Sequence, residues 1–287
     1  MSGKVSLLSD YGVAQNAVFH DRSPLKASYQ APVIRINDGV EEEILDTIAT
    51  EIAFTLKVND QVLVSLLCSP AELDAMAVGF LLSEGMIPDR QALVSVRVDE
   101  QRAEVQVQLN GMPADWDGLF NKKTITSGCG QGVTFSNADT LASLARREPI
   151  RISSAKIFAL LKQFAHSSEL YQQTGGVHSA ALANGDEIIL FAEDIGRHNA
   201  VDKLIGKAFL QGIELNDKLL LSSGRISGEI MTKVIRNRIP VLITRTAPTC
   251  MSIAHAENHG VTMIGFARGR RLNIYTHPLG LILDDVR

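Results

Sequence analysis

Three short apolar segments decide the fold class of this chain: Leu219-Leu220-Leu221-Ser222-Ser223, Val241-Leu242-Ile243-Thr244-Arg245 and Val261-Thr262-Met263-Ile264-Gly265-Phe266. Each is too short for a helix and is apolar at consecutive positions, which is typical of a strand in a sheet that is covered on both faces. Helical patterns at residues 227–237 and 249–258 separate the three segments. This alternation predicts a three-layer α/β domain.

Four further elements are expected upstream in the same domain. Ser153-Ser154 predicts the cap of a helix that continues to about Tyr171, and a second helical pattern covers residues 197–211. Between these helices, strands at residues 177–183 and 187–192 flank Asn184-Gly185-Asp186, which is a strong hairpin turn. A last strand is expected at residues 272–275.

The first part of the chain predicts a smaller, β-rich region. Alternating apolar residues indicate strands at residues 33–36, 51–58, 61–67, 94–98 and 103–109. One helix is expected over residues 71–83, with Ser69 as its cap and Pro70 at its first position. We therefore predict an extended or disordered arm over residues 1–28, a β-rich N-terminal domain with one packed helix over residues 29–125, and an α/β domain over residues 126–287.

The composition is that of a soluble globular protein, with 45% hydrophobic and 21% charged residues in a chain of 287 and a formal net charge of −4. This charge argues against a protein that coats nucleic acid along its surface. No segment resembles a membrane span or a signal peptide, so no membrane association is expected. The three cysteines are widely spaced and form no C-x-x-C pair, which argues against a disulfide framework or a zinc ribbon. A reducing cytoplasm is the simplest compartment.

Five polar, glycine-rich loops flank the predicted strands of the α/β domain, and four of them contain arginine. They are Thr174-Gly175-Gly176-Val177-His178, Glu193-Asp194-Ile195-Gly196-Arg197-His198-Asn199, Ser222-Ser223-Gly224-Arg225-Ile226-Ser227, Thr244-Arg245-Thr246-Ala247-Pro248-Thr249 and Phe266-Ala267-Arg268-Gly269-Arg270-Arg271. Ligands bind at such strand ends in open α/β sheets, and both arginine forks and helix N-termini suit phosphate. The set predicts a site for an anionic, nucleotide-containing ligand, although any one arginine could equally be a solvated loop residue.

Two histidines in these loops are candidates for the same site. His178 and His198 each follow a glycine-rich turn, but either could be a hydrogen-bonded structural group. Asp202 lies one helical turn after His198 and is placed to orient it, or else it is a surface charge beside Lys203.

Cys129 is surrounded by three glycines in Thr126-Ser127-Gly128-Cys129-Gly130-Gln131-Gly132. Glycines leave the sulfur open to a large reaction partner, and they let successive N–H groups form an anion-binding nest that favours the thiolate. The motif indicates a reactive cysteine, or a tight turn that happens to contain one. Cys68 and Cys250 are expected to be core residues, although Cys250 falls in the first turn of a predicted helix, where the helix dipole lowers a thiol pKa.

Metal binding is not favoured by the sequence. His255-Ala256-Glu257 matches the H-x-E half of a zinc deaminase signature, but no cysteine follows Cys250 to supply the P-C-x-x-C half. His255 and His259 are four residues apart on one predicted helix, yet the metalloprotease pattern H-E-x-x-H needs a glutamate where the chain has Ala256. We expect no structural metal, and a zinc-dependent deaminase or hydrolase is disfavoured.

From about residue 30 onward, five separated motifs resemble the formate dehydrogenase accessory sulfurtransferases. They are Ser69-Pro70 with Gly79-Phe80-Leu81-Leu82-Ser83-Glu84-Gly85, then Ser127-Gly128-Cys129-Gly130, Gly176-Val177-His178-Ser179-Ala180, Glu193-Asp194-Ile195-Gly196-Arg197-His198-Asn199-Ala200-Val201-Asp202-Lys203, and Val261-Thr262-Met263-Ile264-Gly265-Phe266 with Tyr275-Thr276-His277-Pro278. The main domain of that family is similar to the cytidine deaminase fold, so the resemblance implies an α/β/α arrangement of that kind.

The resemblance also implies a function. Members of the family take sulfane sulfur from a cysteine desulfurase and pass it to a molybdenum or tungsten cofactor, bis-molybdopterin guanine dinucleotide, which then enters formate dehydrogenase. The cysteine that carries the persulfide corresponds to Cys129, and a guanine nucleotide is expected to mimic the cofactor. The family further implies a homodimer. The expected cofactor-binding residues are the family segment Phe266, Ala267, Arg268, Gly269, Arg270 and Arg271, together with His178, Arg197, His198 and Arg225 from the other loops.

One position departs from the family pattern. Gly132 stands where many members have the second cysteine of the loop, so a second thiol that could resolve a persulfide is absent from this loop. Either Cys129 acts alone or the transfer activity is weakened. The alternative function is a chaperone that binds the molybdenum cofactor without persulfide chemistry.

Overall fold

The computed structural model describes residues 26–111, 124–125, 133–134, 151–278 and 281–282. Within these ranges the chain has the predicted mixed α/β class, with two larger sheets and six α-helices. β1 (Ser28–Asn37) and β2 (Val40–Ala49) form a separate antiparallel hairpin, and the sequence pattern predicted a part of its first strand. Residues 1–25 of the predicted arm lie outside the described residues, and the predicted domain boundary near residue 125 stays a prediction.

A four-stranded sheet carries the N-terminal region. In spatial order its strands are β4 (Gln61–Cys68), β3 (Ile52–Val58), β6 (Glu104–Leu109) and β5 (Leu93–Asp99). β3 and β6 are parallel, and the other neighbours are antiparallel. Alternate side chains of β3 and β6 are buried, because successive residues of a strand point to opposite faces. They pack on helix α1 (Leu73–Ser83), the one helix that the sequence predicted here.

Helix α1 begins two residues later than predicted, and Ser69 does not cap it. Its N-cap residue is Glu72, which is in the left-handed conformation with φ of 57° and makes no side-chain cap. Ser69 is buried instead, and its N–H donates to Oδ2 of Asp194 (2.9 Å). Its hydroxyl accepts from the N–H of Ile195 (3.1 Å), and its carbonyl accepts from Nζ of Lys203 (3.1 Å). Ser69 therefore links the N-terminal sheet to the rest of the chain.

The three apolar segments that decide the fold class lie side by side in a second, six-stranded sheet. Its strands in chain order are β10 (His178–Asn184), β11 (Glu187–Asp194), β12 (Leu219–Ser222), β13 (Val241–Thr244), β14 (Thr262–Arg268) and β15 (Arg271–Ile274). The spatial order is β11, β10, β12, β13, β14, β15. β12, β13 and β14 are parallel neighbours, whereas the outer pairs are antiparallel.

Helices pack against both faces of this sheet. They are α2 (Ser154–His166), α4 (Arg197–Gln211), α5 (Gly228–Arg236) and α6 (Cys250–His259). The short helix α3 (Glu169–Thr174) contacts β2 of the hairpin instead. Leu220 and Leu242 belong to an apolar cluster with residues of α4, α5 and α6, whereas Leu221 and Ile243 belong to a cluster with residues of α2. None of the described helices combines the length and the apolar character needed to cross a membrane.

The single helix predicted over residues 153–171 is two helices in the structure. Ser153 caps α2 as predicted, but that helix ends at His166. Ser168 then acts as the N-cap of α3, because its hydroxyl accepts from the N–H of Tyr171 at 3.0 Å. Two short pairs of strands complete the description: β7 (Thr124–Ile125) with β8 (Val133–Thr134), and β9 (Ile152–Ser153) with β16 (Leu281–Ile282).

The N-terminal region and the six-stranded sheet meet where α1 crosses α4. A Cβ atom on Gly79 would lie 1.7 Å from the carbonyl oxygen of Asp202, and one on Gly206 would lie 1.9 Å from the carbonyl oxygen of Ala75. No side-chain carbon can approach a backbone oxygen so closely. The two helices can therefore make this contact because both positions are glycine.

Buried ion pairs flank the crossing. Nζ of Lys203 is 2.7 Å from Oδ2 of Asp194, with both side chains fully buried. Nζ of Lys233 is 2.8 Å from Oδ2 of Asp202, which also accepts at Oδ1 from the hydroxyl of Ser83 (2.7 Å). A buried side chain can stay ionised when it is paired and hydrogen-bonded, because burying an unpaired charge costs a large free energy. Through Ser83, Asp202 and Lys233, these contacts fix the positions of α1, α4 and α5 relative to one another.

Gly206→Ala is expected to destabilise the protein by about 2 to 4 kcal/mol, because the new methyl group would overlap backbone that cannot move aside. In an uncrowded helix the same change stabilises, since alanine is the better helix former. Urea unfolding measures the difference.

Gly228→Ala is the matched control, because it is also a helical glycine. The atom nearest to its added Cβ is the sulfur of Met251 at 2.6 Å, the end of an exposed and flexible side chain. We expect that variant to lose less than about 1 kcal/mol. Equal losses in the two variants would contradict the glycine account of the crossing.

Candidate functional site

A cleft with a volume of about 580 Å³ lies at one edge of the six-stranded sheet. The loops after β12, β13 and β14 meet there, because neighbouring parallel strands end at the same edge. β10 begins at this edge and β11 ends at it, since both run antiparallel to their neighbours. Each of the five polar loops supplies lining residues, among them His178, Ile195, Ser223, Arg245 and Arg268.

The described residues that line the cleft carry positive charge and no carboxylate. Arg245 and Arg268 both line it, and no aspartate or glutamate is among its lining residues. Arg268 is exposed, and its Nε donates to the backbone carbonyl of Arg245 at 2.9 Å, which holds the two loops together. The rest of the wall mixes polar, aromatic and aliphatic residues, among them Ser168, Tyr171 and Val177. Such a surface favours an anionic ligand.

His178 lines the cleft at the end of the loop of residues 174–178, where it is half-buried and contacts a serine. Its Nδ1 is 3.3 Å from the hydroxyl oxygen of Ser223. Burial lowers the pKa of the imidazole, and the nearby positive charge of Arg197 and the ring of His198 lower it further. His178 is therefore neutral at neutral pH and can act as a hydrogen-bond donor or acceptor without carrying charge.

Arg197, at the start of α4, lies behind this wall and does not line the cleft. It is 9% exposed, and within the described part of the chain its Nε has no hydrogen-bond partner. Gly224 makes room for its side chain, since a Cβ there would lie 2.8 Å from Cβ of Arg197. The guanidinium places a positive charge close enough to His178 to lower the pKa of that imidazole.

His198 does not use the partner that the sequence suggested. Its Nε2 is 3.0 Å from Oε2 of Glu229 and 3.2 Å from the hydroxyl of Ser227. Asp202 was expected to orient His198 or to lie on the surface, and both expectations are wrong. Asp202 is 1% exposed and pairs with Lys233 instead. His198 itself is not among the residues that line the cleft.

The segment at residues 266–271 is a hairpin rather than an open loop. β14 continues to Arg268 and pairs with β15, which starts at Arg271, so that Gly269 and Arg270 form the turn. Ala267 is fully buried in the apolar cluster beneath α2, and Phe266 is partly exposed with a φ of 50°.

Of this segment, Arg268 is the residue that lines the cleft. Arg270 and Arg271 are exposed near the turn and are not among the lining residues. Arg225 from the loop after β12 is likewise exposed and outside the lining.

The three cysteines differ in their position and exposure. Cys129 lies outside the described residues; on either side of its segment, Ile125 pairs with Val133. Cys68 is buried as predicted, and burial together with the charge of Asp194 raises its pKa to about 12. Cys250 is exposed at the start of α6, so the prediction of a core position for it is wrong.

No group of three or more histidine, cysteine, aspartate or glutamate side chains with metal-site geometry occurs among the described residues. His255 and His259 share α6, but Nδ1 of His259 is 2.9 Å from the backbone carbonyl of His255. Burial lowers the pKa of His255, and the neighbouring His259 lowers it further.

Sequence reasoning found the loops of this cleft but overlooked two residues within them. Ser223 contacts His178, and Gly224 accommodates Arg197, yet Arg225 was the residue singled out in that loop. A Ser-Gly pair directly after a buried strand was the available signal, since glycine at a strand end often permits close approach.

Comparison with known proteins shows where the chain belongs. A model of the FdhD/NarQ family matches residues 49–282. The chain is 38% identical over 247 residues to a Listeria innocua protein named sulfur carrier protein FdhD, a match that covers 85% of this chain and 95% of that protein. A Wolinella succinogenes protein of the same name is 40% identical over 237 residues, covering 83% of this chain and 82% of that protein.

A similar fold is known from Desulfotalea psychrophila. Its crystal structure, provisionally described as that of a formate dehydrogenase accessory protein, superposes with a TM-score of 0.75 at 25% identity. The match covers 90% of this chain and 100% of that one. Because the family model spans most of the chain and relatives near 40% identity align along most of their length, this chain belongs to the FdhD/NarQ family.

Proposed function

We propose that this protein is a sulfur carrier for the maturation of formate dehydrogenase. Its relatives are named sulfur carrier proteins, and the similar solved structure is described as a formate dehydrogenase accessory protein. The observation that carries the proposal is the convergence of five loops on one cleft, whose described lining residues include Arg245 and Arg268 and no carboxylate. Guanidinium groups at strand ends suit the phosphates of a dinucleotide cofactor. The substrate that fits this chemistry is bis-molybdopterin guanine dinucleotide, carrying molybdenum or tungsten.

Sulfur enters through Cys129 in this proposal. A cysteine desulfurase supplies a persulfide, and the Cys129 thiolate attacks its outer sulfur. One S–S bond forms and one breaks, the donor leaves as a thiolate, and no net oxidation occurs. The neighbouring glycines give a large donor enzyme access to the sulfur. The other two thiols suit this step less well, since Cys68 is buried with a raised pKa and Cys250 lies outside the family motif.

The cleft residues have separate tasks in this scheme. Arg245 and Arg268 would bind phosphate, and Arg197 would add positive charge from behind the wall. The segment of Phe266, Gly269, Arg270 and Arg271 would extend the contact beyond the cleft, which at about 580 Å³ holds a nucleotide-sized part of the cofactor. His178, His198 and Arg225 remain proposed contacts.

The finer architecture belongs to the same proposal. A six-stranded sheet packed by helices on both faces supports a layering like that of the cytidine deaminase fold. We also propose a division into two domains near residue 125, and a homodimer as the assembled form.

Arg268→Ala is expected to weaken GDP binding by about ten- to a hundredfold, the effect of losing one charged hydrogen bond to phosphate. GDP serves as the probe because it carries the guanine nucleotide of the cofactor. Isothermal titration calorimetry measures the affinity, and Arg245→Ala should act in the same direction.

Arg102→Ala is the control for charge alone, because the side chain of Arg102 is 75% exposed in the turn between β5 and β6. Its affinity for GDP should equal that of the unmodified protein. Unchanged affinity in both Arg268→Ala and Arg245→Ala would remove the cleft from the proposed function.

Cys129→Ala is expected to reduce formate dehydrogenase activity to background in cells that depend on this protein, while GDP binding stays intact. Removing the thiol removes the sulfur carrier but leaves the cleft. Cys250→Ala is the matched control and should retain full activity, although its thiol is exposed. Full activity of Cys129→Ala would instead support a chaperone that binds the cofactor without persulfide chemistry.

A further inference from the structure

We infer that Ser223 is a positioning residue for His178: its hydroxyl holds the ring as the tautomer that carries its proton on Nε2, so that His178 donates a hydrogen bond to the anion in the cleft. The position of the proton is independent of the proposed function. The hydrogen bond to a ligand rests on the proposed function, because it requires an anion in this cleft.

The first step is the hydrogen-bond inventory of the Ser223 hydroxyl. Its oxygen accepts from the N–H of Ser179 at 2.9 Å and lies 3.3 Å from Nδ1 of His178. The N–H of Ser223 donates to the carbonyl of Ser179 at 3.0 Å, which fixes the two main chains relative to each other. A hydroxyl has one proton and two lone pairs, and the N–H of Ser179 already uses one of the lone pairs. Among the described residues, Nδ1 of His178 is the acceptor within reach of the proton. We therefore assign the hydroxyl proton to the bond with Nδ1, which leaves the ring proton on Nε2.

The second step is that the surroundings keep the ring neutral. Burial lowers the pKa of His178, as do Arg197 and His198, whereas Asp194 acts in the opposite direction. Asp194 is itself paired with Lys203, which weakens its effect on the ring. Among the described residues of the cleft wall, the other charged side chains are Arg245 and Arg268, and both are positive.

The third step is what a neutral donor contributes. His178 lines the cleft, and its Nδ1 is occupied by Ser223, so Nε2 is the ring nitrogen left for a ligand. An N–H group adds a directed hydrogen bond to a phosphate or sulfur anion without another cation beside the two arginines. His198 differs, because its Nε2 lies beside the carboxylate of Glu229 as well as the hydroxyl of Ser227.

Nitrogen-15 NMR of histidine-labelled protein reads the tautomer directly, since protonated and unprotonated ring nitrogens have separate chemical shifts. At neutral pH the unmodified protein should show His178 with its proton on Nε2. Ser223→Ala should shift the tautomer ratio towards Nδ1–H by roughly fivefold, the effect of one ordinary hydrogen bond. It should also raise the pH at which His178 titrates, because no donor then occupies Nδ1.

Ser223→Thr keeps a hydroxyl at the same position and should restore both the tautomer and the titration midpoint. The His198 signals serve as an internal reference and should be unchanged in both variants. An Nδ1–H tautomer in the unmodified protein, or an unaltered ratio in Ser223→Ala, would overturn the role of Ser223.

Adding GDP separates this inference from the proposed function. If GDP binds, the Nε2 signal of His178 should shift, and Ser223→Ala should weaken binding about three- to tenfold. Binding that depends on Arg268 but leaves Nε2 and the Ser223→Ala affinity unchanged would overturn the donor role. If GDP does not bind at all, the proposed cofactor site and the donor role of His178 are both wrong. The tautomer of His178 measured without ligand then still decides whether Ser223 positions the ring.

Discussion

The close crossing of α1 and α4 at Gly79 and Gly206 is the contact on which the geometry of the cleft depends. It brings the buried Ser69 against Asp194, whose carboxylate also accepts from the N–H of Gly196 and from the side chain of Asn199, each at 2.8 Å. Asp194 thereby organises the loop that places Ile195 in the wall of the cleft and Arg197 behind it. The N-terminal sheet is thus a support for the site, although none of the described lining residues belongs to it.

Acidic side chains are paired inside the molecule, whereas the described charged residues that line the cleft are arginines. Asp194 and Asp202 are neutralised by lysines inside the molecule, and Glu229 faces His198. None of these carboxylates lines the cleft, so Arg245 and Arg268 face solvent without an acidic neighbour in the wall. A chain with a formal net charge of −4 can therefore present a local positive field to an anionic ligand.

The periodicity of apolar residues predicted the elements that are determined by residues close together in the sequence. The apolar runs of β12, β13 and β14 and the polar loops after them were evident, because burial on both faces leaves a direct trace in sequence. Ser69 was misassigned because a helix cap and a buried tertiary hydrogen bond demand the same residue type. The partner of Asp202 could not be predicted, since Lys233 lies 31 residues away and they meet through packing of α4 and α5. Cys250 was misplaced because helical periodicity does not tell how deep the first turn of α6 sits.

Sulfur transfer through Cys129 is tested most directly by mass spectrometry of the protein after incubation with a cysteine desulfurase and cysteine. The peptide that contains Cys129 should gain the mass of one sulfur atom. The peptide with Cys68 should gain none, because that thiol is buried and its pKa is raised to about 12. The absence of added sulfur on Cys129 with an active donor, or its appearance on Cys250 instead, would contradict a carrier that works through the glycine-rich loop.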